Sequence, residues 1–351
     1  MPDLFEKAEK ARAHSQFEAA RKIYQMLLRS SLDQEEKADA ILGLADVERI
    51  RGYFPEALRH YRQAGQLFKT IDPTAQLDAQ VGWALSARAS GQPWPALKEL
   101  SKALIQYQKQ KDQEGEAFTR WALGGTWRIA GDMKKGLKEL LLARALYKKI
   151  KDAEGYSYVY CALGGIYRML GQYDLSGRYY REANQRMRQR KDTFGIAYSY
   201  CGLGNVQRMA GRFKQALPFY QKAEKLYGTI GDRVSYAYTL WSLGTTHKLL
   251  GQYTQAHRAF HKADTLFKKT GDTRGRIYAL LGHAEIEFLK GHTSKGLSWW
   301  KEAKKVSNQS HYLWEKLHVE SLKGGVVHHL KPKYQKAGSR FYPKSLPINW
   351  P

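Results

Sequence analysis

Acidic residues, cysteines and long apolar runs are all scarce in this 351-residue chain. Only 33 Asp and Glu stand against 58 Lys and Arg, a formal net charge of +25. That excess favours encounter with acidic peptides, nucleic acid or anionic surfaces, and equally suits a protein with a merely basic exterior. Two cysteines, Cys161 and Cys201, are too few for a disulfide framework. They occupy equivalent positions of a repeat, on the order of 10 Å apart on neighbouring helices, so they read as small buried or groove-lining thiols. No apolar run approaches the roughly 20 residues of a membrane span, and the N-terminal MPDLFEKAEK has no apolar signal core. A cytoplasmic protein is the expectation. Catalytic signatures are missing as well: there is no P-loop, no G-x-S-x-G, no H-E-x-x-H and no cysteine pair at zinc spacing. His257 and His261 share a helical face but lack a third ligand, and His328-His329 has no better claim, so neither metal nor cofactor is expected.

What the chain does have is a period of forty. Gly131, Gly171, Gly211, Gly251 and Gly291 recur in step with Asp112, Asp152, Asp192, Asp232 and Asp272 and with Ala143, Ala183, Ala223, Ala263 and Ala303. With 43% hydrophobic residues the composition supports a folded core, and a repeat of this length predicts a solenoid whose units bury their faces against their neighbours. Within one unit, Thr193 to Ala210 reads as a helix, Gly211-Arg212 breaks it, and Phe213 to Thr229 reads as a second. Phe213, Ala216, Leu217, Tyr220, Ala223 and Leu226 form one apolar helical face. Gly211 stands where a left-handed residue ends a helix, and Asp192, Asp232 and Asp272 stand where a side chain caps the next.

Leu203-Gly204 in the first helix, a glycine before the second, and then aromatic-x-x-Ala-x-x-x-aromatic-x-x-Ala resemble the tetratricopeptide repeat, from about Phe17 to Ala303. The helix-breaking positions are Ser15, Gly52, Gly91, Gly131, Gly171, Gly211, Gly251 and Gly291. The forty-residue period, longer than the family's usual one, and the Lys/Gly-Asp ending are similar to the long-repeat group of Pins-like adaptors, kinesin light chains and bacterial repeat proteins. The resemblance implies an all-α, right-handed superhelical solenoid of about eight hairpins, with the first helix of each lining a concave groove. The units fall near 3–35, 36–72, 73–111, 112–151, 152–191, 192–231, 232–271 and 272–310, so the array spans 1–310. A solvent-facing capping helix is expected over 311–322, from His311. Residues 323–351 form a basic, proline-containing tail, expected to be irregular and dispensable for folding.

By the same resemblance, ladders line the groove. One holds Arg49, Arg88, Arg128, Arg168, Arg208 and Lys248; another holds Phe118, Tyr158, Tyr198, Tyr238 and Tyr278. Between them come Trp121, Cys161, Cys201 and Trp241, then Gly125, Gly165, Asn205 and Thr245. Cations about 10 Å apart repel one another, and an extended peptide at roughly 3.3 Å per residue would meet one about every three residues. Two readings are open. The ladders capture a ligand, or the arginines pair internally with carboxylates such as Glu139 or Glu224 and the tyrosines pack one repeat on the next. The expected function is a non-enzymatic adaptor or scaffold that captures an acidic, extended or helical protein segment. The rival is single-stranded nucleic acid held by the Arg and Tyr ladders and the basic tail, in which Lys331, Lys333, Tyr334, Lys336, Arg340, Phe341, Tyr342 and Lys344 stand. A small phosphate- or carboxylate-rich ligand is a third, weaker candidate for an open groove.

Overall fold

Each hairpin of this protein turns on a residue in the left-handed region. In the computed structural model, which describes residues 2–310, 312–336 and 341–351, φ is 58° at Ser15, 81° at Gly52 and 79° at Gly211, and positive at Gly91, Gly131, Gly171, Gly251 and Gly291. These are the eight breaking positions of the repeat. Glycine adopts this conformation without steric cost, and Ser15 adopts it against its Cβ. His311 and Arg340 lie outside the described residues.

The turns join consecutive helices. The first four hairpins are α1 (Pro2–Ala13) with α2 (Phe17–Leu27), α3 (Gln34–Arg51) with α4 (Phe54–Phe68), α5 (Pro73–Ala89) with α6 (Pro93–Gln110), and α7 (Gln113–Ala130) with α8 (Met133–Lys149). The next four are α9 (Ala153–Met169) with α10 (Tyr173–Gln189), α11 (Thr193–Met209) with α12 (Phe213–Ile230), α13 (Arg233–Leu249) with α14 (Tyr253–Thr270), and α15 (Thr273–Leu289) with α16 (Thr293–Asn308). Two short helices follow, α17 (Leu313–Ser321) and α18 (Lys331–Lys336), and no strand occurs among the described residues. Aspartate starts the first helix of a unit: the carboxylates of Asp72, Asp112, Asp152, Asp192, Asp232 and Asp272 accept backbone N–H groups two or three residues on. Asp33 does the same and completes a capping box with Glu36. Each cap contributes about 1 kcal/mol.

Small residues let the helices close. An added Cβ would lie 2.1 Å from Tyr180 at Gly202 and 2.6 Å from Tyr220 at Gly204, so each glycine is the seat of a tyrosine from a neighbouring second helix. Gly202→Ala is therefore expected to destabilise by about 1–3 kcal/mol through overpacking. Gly228→Ala, in an exposed helical position with nothing within 4 Å of the new Cβ, should instead stabilise by about 0.5–1 kcal/mol. Urea unfolding of the pair checks both signs.

The superhelix closes on itself after five hairpins. Phe17 of hairpin 1 meets Phe194 of hairpin 6 edge to face at 6.4 Å. In hairpin 2, Tyr53 lies under the Arg233 guanidinium of hairpin 7 at 5.2 Å. Beyond hairpin 3, the Tyr312 hydroxyl donates to Ala89 O at 3.4 Å. Successive turns touch at these points, and the concave groove runs as a channel along the inside of the superhelix. The C-terminal segment is the other departure. Helix α17 does not face solvent, since Trp314, Leu317, His318 and Val319 are buried. Tyr334 packs on Leu317, and the His318 ring stacks on Tyr334 and lies 4.5 Å from Trp350, so the tail folds back over the helix.

Candidate channel site

The cation ladder divides into three parts. At its start, Arg49 donates to the Tyr61 hydroxyl at 3.0 Å and lies 3.6 Å from Asp46. Burial works against its charge, but Tyr61 and Asp46 outweigh burial and hold the guanidinium above its ordinary value. The internal-pairing reading describes this residue. In the middle, Arg88, Arg128 and Arg168 form no carboxylate ion pair among the described residues; Glu139 pairs with Arg120 at 2.6 Å instead. Burial first, then the neighbouring Arg128, pushes Arg88 down to about 10. Arg128 is lowered too, by burial against the favourable influence of Tyr198, with Arg274 and Arg168 adding to the fall. The Nε and Nη1 atoms of Arg168 are buried without a hydrogen-bond partner. At the far end Arg208 and Lys248 are both 0% exposed, yet both are bonded.

Their partner is the chain's own tail. Lys248 Nζ donates to Ile348 O at 2.9 Å, and Arg208 Nη1 donates to Trp350 O at 2.6 Å and to the Asn349 side-chain oxygen. Asn349 Nδ2 returns a bond to Arg208 O at 2.9 Å. Glu285 completes the clamp, accepting from Ile348 N at 2.7 Å and from the Trp350 indole N–H while pairing with Lys248 at 2.8 Å. Ile348 and Trp350 join the core of the last hairpins with Leu281 and Ala237. The tail is irregular, as expected, with no helix or strand over 341–351, but Ile348 and Trp350 are buried, which argues against its being dispensable for folding. The spacing also differs from three residues per hairpin. Two residues separate the carbonyls held by Lys248 and Arg208.

The aromatic ladder is mixed. Tyr158 donates to Asp192 at 2.9 Å and Tyr238 to Asp272 at 3.2 Å, so these two tie one repeat to the next cap. Tyr198 is half-buried, its hydroxyl raised first by burial and then by Cys161, with Arg128 and Arg88 opposing the rise. Phe118, 40% exposed, stacks on Trp121 at 5.4 Å. Trp241 lies beneath Arg208 at 5.4 Å and beside Tyr278 at 4.9 Å. Asn205 is engaged internally, accepting from Tyr220 at 2.9 Å and from Arg208 at 3.3 Å, and so orients the arginine. Cys161 and Cys201 are free, with thiols raised by burial. His257 lies against His283 with ring centroids 4.4 Å apart and tilted, and no cluster of three metal-ligating residues occurs among the described residues.

Sequence reasoning missed Glu285, Ile348, Asn349 and Trp350. Glu285 was within reach: it continues the row of Gly125, Gly165, Asn205 and Thr245 by one more step of forty. The tail residues carry no repeat signal.

A tetratricopeptide-repeat family model matches residues 157–229 and 195–269. No curated protein sequence matches the chain. Among solved structures, the fold is similar to the Rap conjugation gene regulator of the plasmid pLS20 in complex with the Phr* peptide, at TM-score 0.66 and 13% identity over 93% of this chain and 97% of that one. It is also similar to NprR in complex with its cognate peptide NprX, at TM-score 0.62 and 14% identity over 95% of this chain and 96% of the other. A third match is aspartyl phosphate phosphatase F from Bacillus subtilis, at TM-score 0.57 and 9% identity over 88% and 77%. At such identities the likeness is one of fold. No helix among the described residues is long and apolar enough to cross a membrane.

Proposed function

We propose that this chain, a tetratricopeptide-repeat protein, is a non-enzymatic scaffold whose channel captures an extended peptide segment of a partner protein. The observation that carries the reading is the seating of residues 348–350, whose main-chain carbonyls rest on successive ladder cations. Main-chain capture of this kind suits an extended peptide of varied sequence, with side-chain pockets left to select among them. Two fold neighbours, the Rap regulator and NprR, are themselves in complex with peptides, which supports it. Arg88, Arg128 and Arg168, which have no carboxylate partner among the described residues, favour an acidic segment, whose carboxylates would form charge-assisted bonds there. Tyr198, Trp121 and Phe118 offer rigid aromatic surface alongside.

Single-stranded nucleic acid is the alternative, favoured by the same arginines and aromatics. Selection of peptides from a random display library on the full chain distinguishes them. Selected peptides are expected to be acidic, and Arg128→Ala or Arg168→Ala should each weaken them by roughly 1–3 kcal/mol. Peptides indifferent to both substitutions, or a random-sequence single-stranded oligonucleotide that displaces them with a steeper salt dependence, would overturn the reading.

A further inference from the structure

Among the described residues the tail bonds to two of the six ladder cations, Lys248 and Arg208, and it does so without a single acidic residue: none occurs from Lys323 to Pro351. Its Ile-Asn-Trp run satisfies Lys248, Arg208 and Glu285, chiefly through the main chain and the Asn and Trp side chains. Along the ladder the next cation is Arg168, whose buried Nε and Nη1 have no partner, and beyond it come Arg128 and Arg88, both lowered first by burial, Arg128 also by Arg274 and Arg168 and Arg88 also by Arg128. At two residues per hairpin, a peptide laid along the tail's path meets Arg168 two residues past the position of Trp350.

We propose that residues 346–350 are a tethered competitor for the channel, displaced by a partner peptide that carries a similar aliphatic–Asn–aromatic anchor followed within two residues by acidic side chains. The proposal rests on the peptide-binding reading above and names its ligand and its gate. A tethered segment competes at an effective concentration of order mM, so a partner offering only the same contacts gains little occupancy. Carboxylates on Arg168 and Arg128 supply what the tail lacks. Both cations are half-buried, so their pairing is screened less than that of a fully exposed ion pair.

The test uses the full chain and two synthetic fluorescent peptides, one of residues 344–351 and one of the same residues with two glutamates appended. The plain peptide is expected to bind the Trp350→Ala chain roughly tenfold or more tighter than the wild-type chain, because the anchor site has been vacated. The appended peptide should bind both chains roughly tenfold tighter than the plain one, and Arg168→Ala should remove that gain. Should Trp350→Ala fail to fold by circular dichroism, Asn349→Ala keeps the indole in place and releases only the Arg208 clamp; it is expected to shift affinity in the same direction. Equal binding of the plain peptide to wild-type and unlatched chains overturns the competitor role while leaving peptide capture standing. No gain from the glutamates overturns the acidic continuation. Binding of neither peptide to any folded variant, with no binder selected from the display library, overturns the capture reading itself.

Discussion

Truncation after Leu322 is expected to destabilise the C-terminal end of the array by about 3–5 kcal/mol, the scale of deleting one large buried aromatic side chain. The sequence pattern predicts a dispensable tail, whereas the burial of its side chains argues for this loss. Tyr334 and Trp350 are each 0% exposed and Ile348 is 2% exposed. Their removal uncovers His318, which donates to or accepts from Tyr334 at 2.7 Å and lies against Trp350. It also strips Glu285 and Lys248 of their bonds to the tail and leaves a buried ion pair beside an opened channel. The loss should be local. In a stacked array each unit leans on its neighbours, so helices α15 to α17 should lose protection first while hairpins 1 to 4 hold. Urea unfolding of the full and truncated chains, with hydrogen exchange to place the change, measures it. A truncated chain with the unfolding midpoint and α15 protection of the full one would show that the tail contributes nothing to the fold.

The parts of the fold that were legible in the sequence are those governed by local sterics. Gly211 and Gly251 mark turns because few other residues tolerate positive φ, and Asp192 and Asp272 mark helix starts because a short carboxylate reaches orphan N–H groups. The seating of Tyr220 on Gly204 follows from the same small-residue pattern. The cation ladder was legible because it shares the period of forty, but its fate was not. Arg49 found Asp46 and Tyr61 within its own hairpin, whereas Arg208 found Asn349, 141 residues away. A main-chain carbonyl accepting from Lys248 leaves no trace in side-chain pattern, and a non-repeating tail has no periodicity to read. Closure after five hairpins was equally hidden, since the Phe17–Phe194 contact depends on the summed twist of every intervening joint. That closure leaves the middle arginines only half-exposed, on the inner side of the superhelix rather than on an open face.

Glu285→Gln is expected to have the largest effect of any single substitution in the channel, about 3–5 kcal/mol, because it leaves a buried charge without its counter-ion. Both side chains of the Lys248–Glu285 pair are 0% exposed. Glutamine fills the same space, so no cavity contributes, and the loss reports the charge. Burial already holds the Lys248 ammonium below its ordinary value, with Glu285 opposing that fall and Arg208 adding to it. Without the carboxylate the lysine should be lowered further, while in the unfolded chain it keeps its ordinary value. Between those two values the unfolded state binds more protons, so the variant's stability should rise with pH above neutrality more steeply than the wild type's. Adding Lys248→Met removes the stranded charge and should recover most of the loss and flatten the pH dependence. The tail should nevertheless stay loosened, since Ile348 O then has no ammonium donor. Urea unfolding at pH 7 and pH 9 on the single and double variants decides the matter. A single variant as stable as the wild type at both pH values would mean that Lys248 is not held by Glu285 inside the channel.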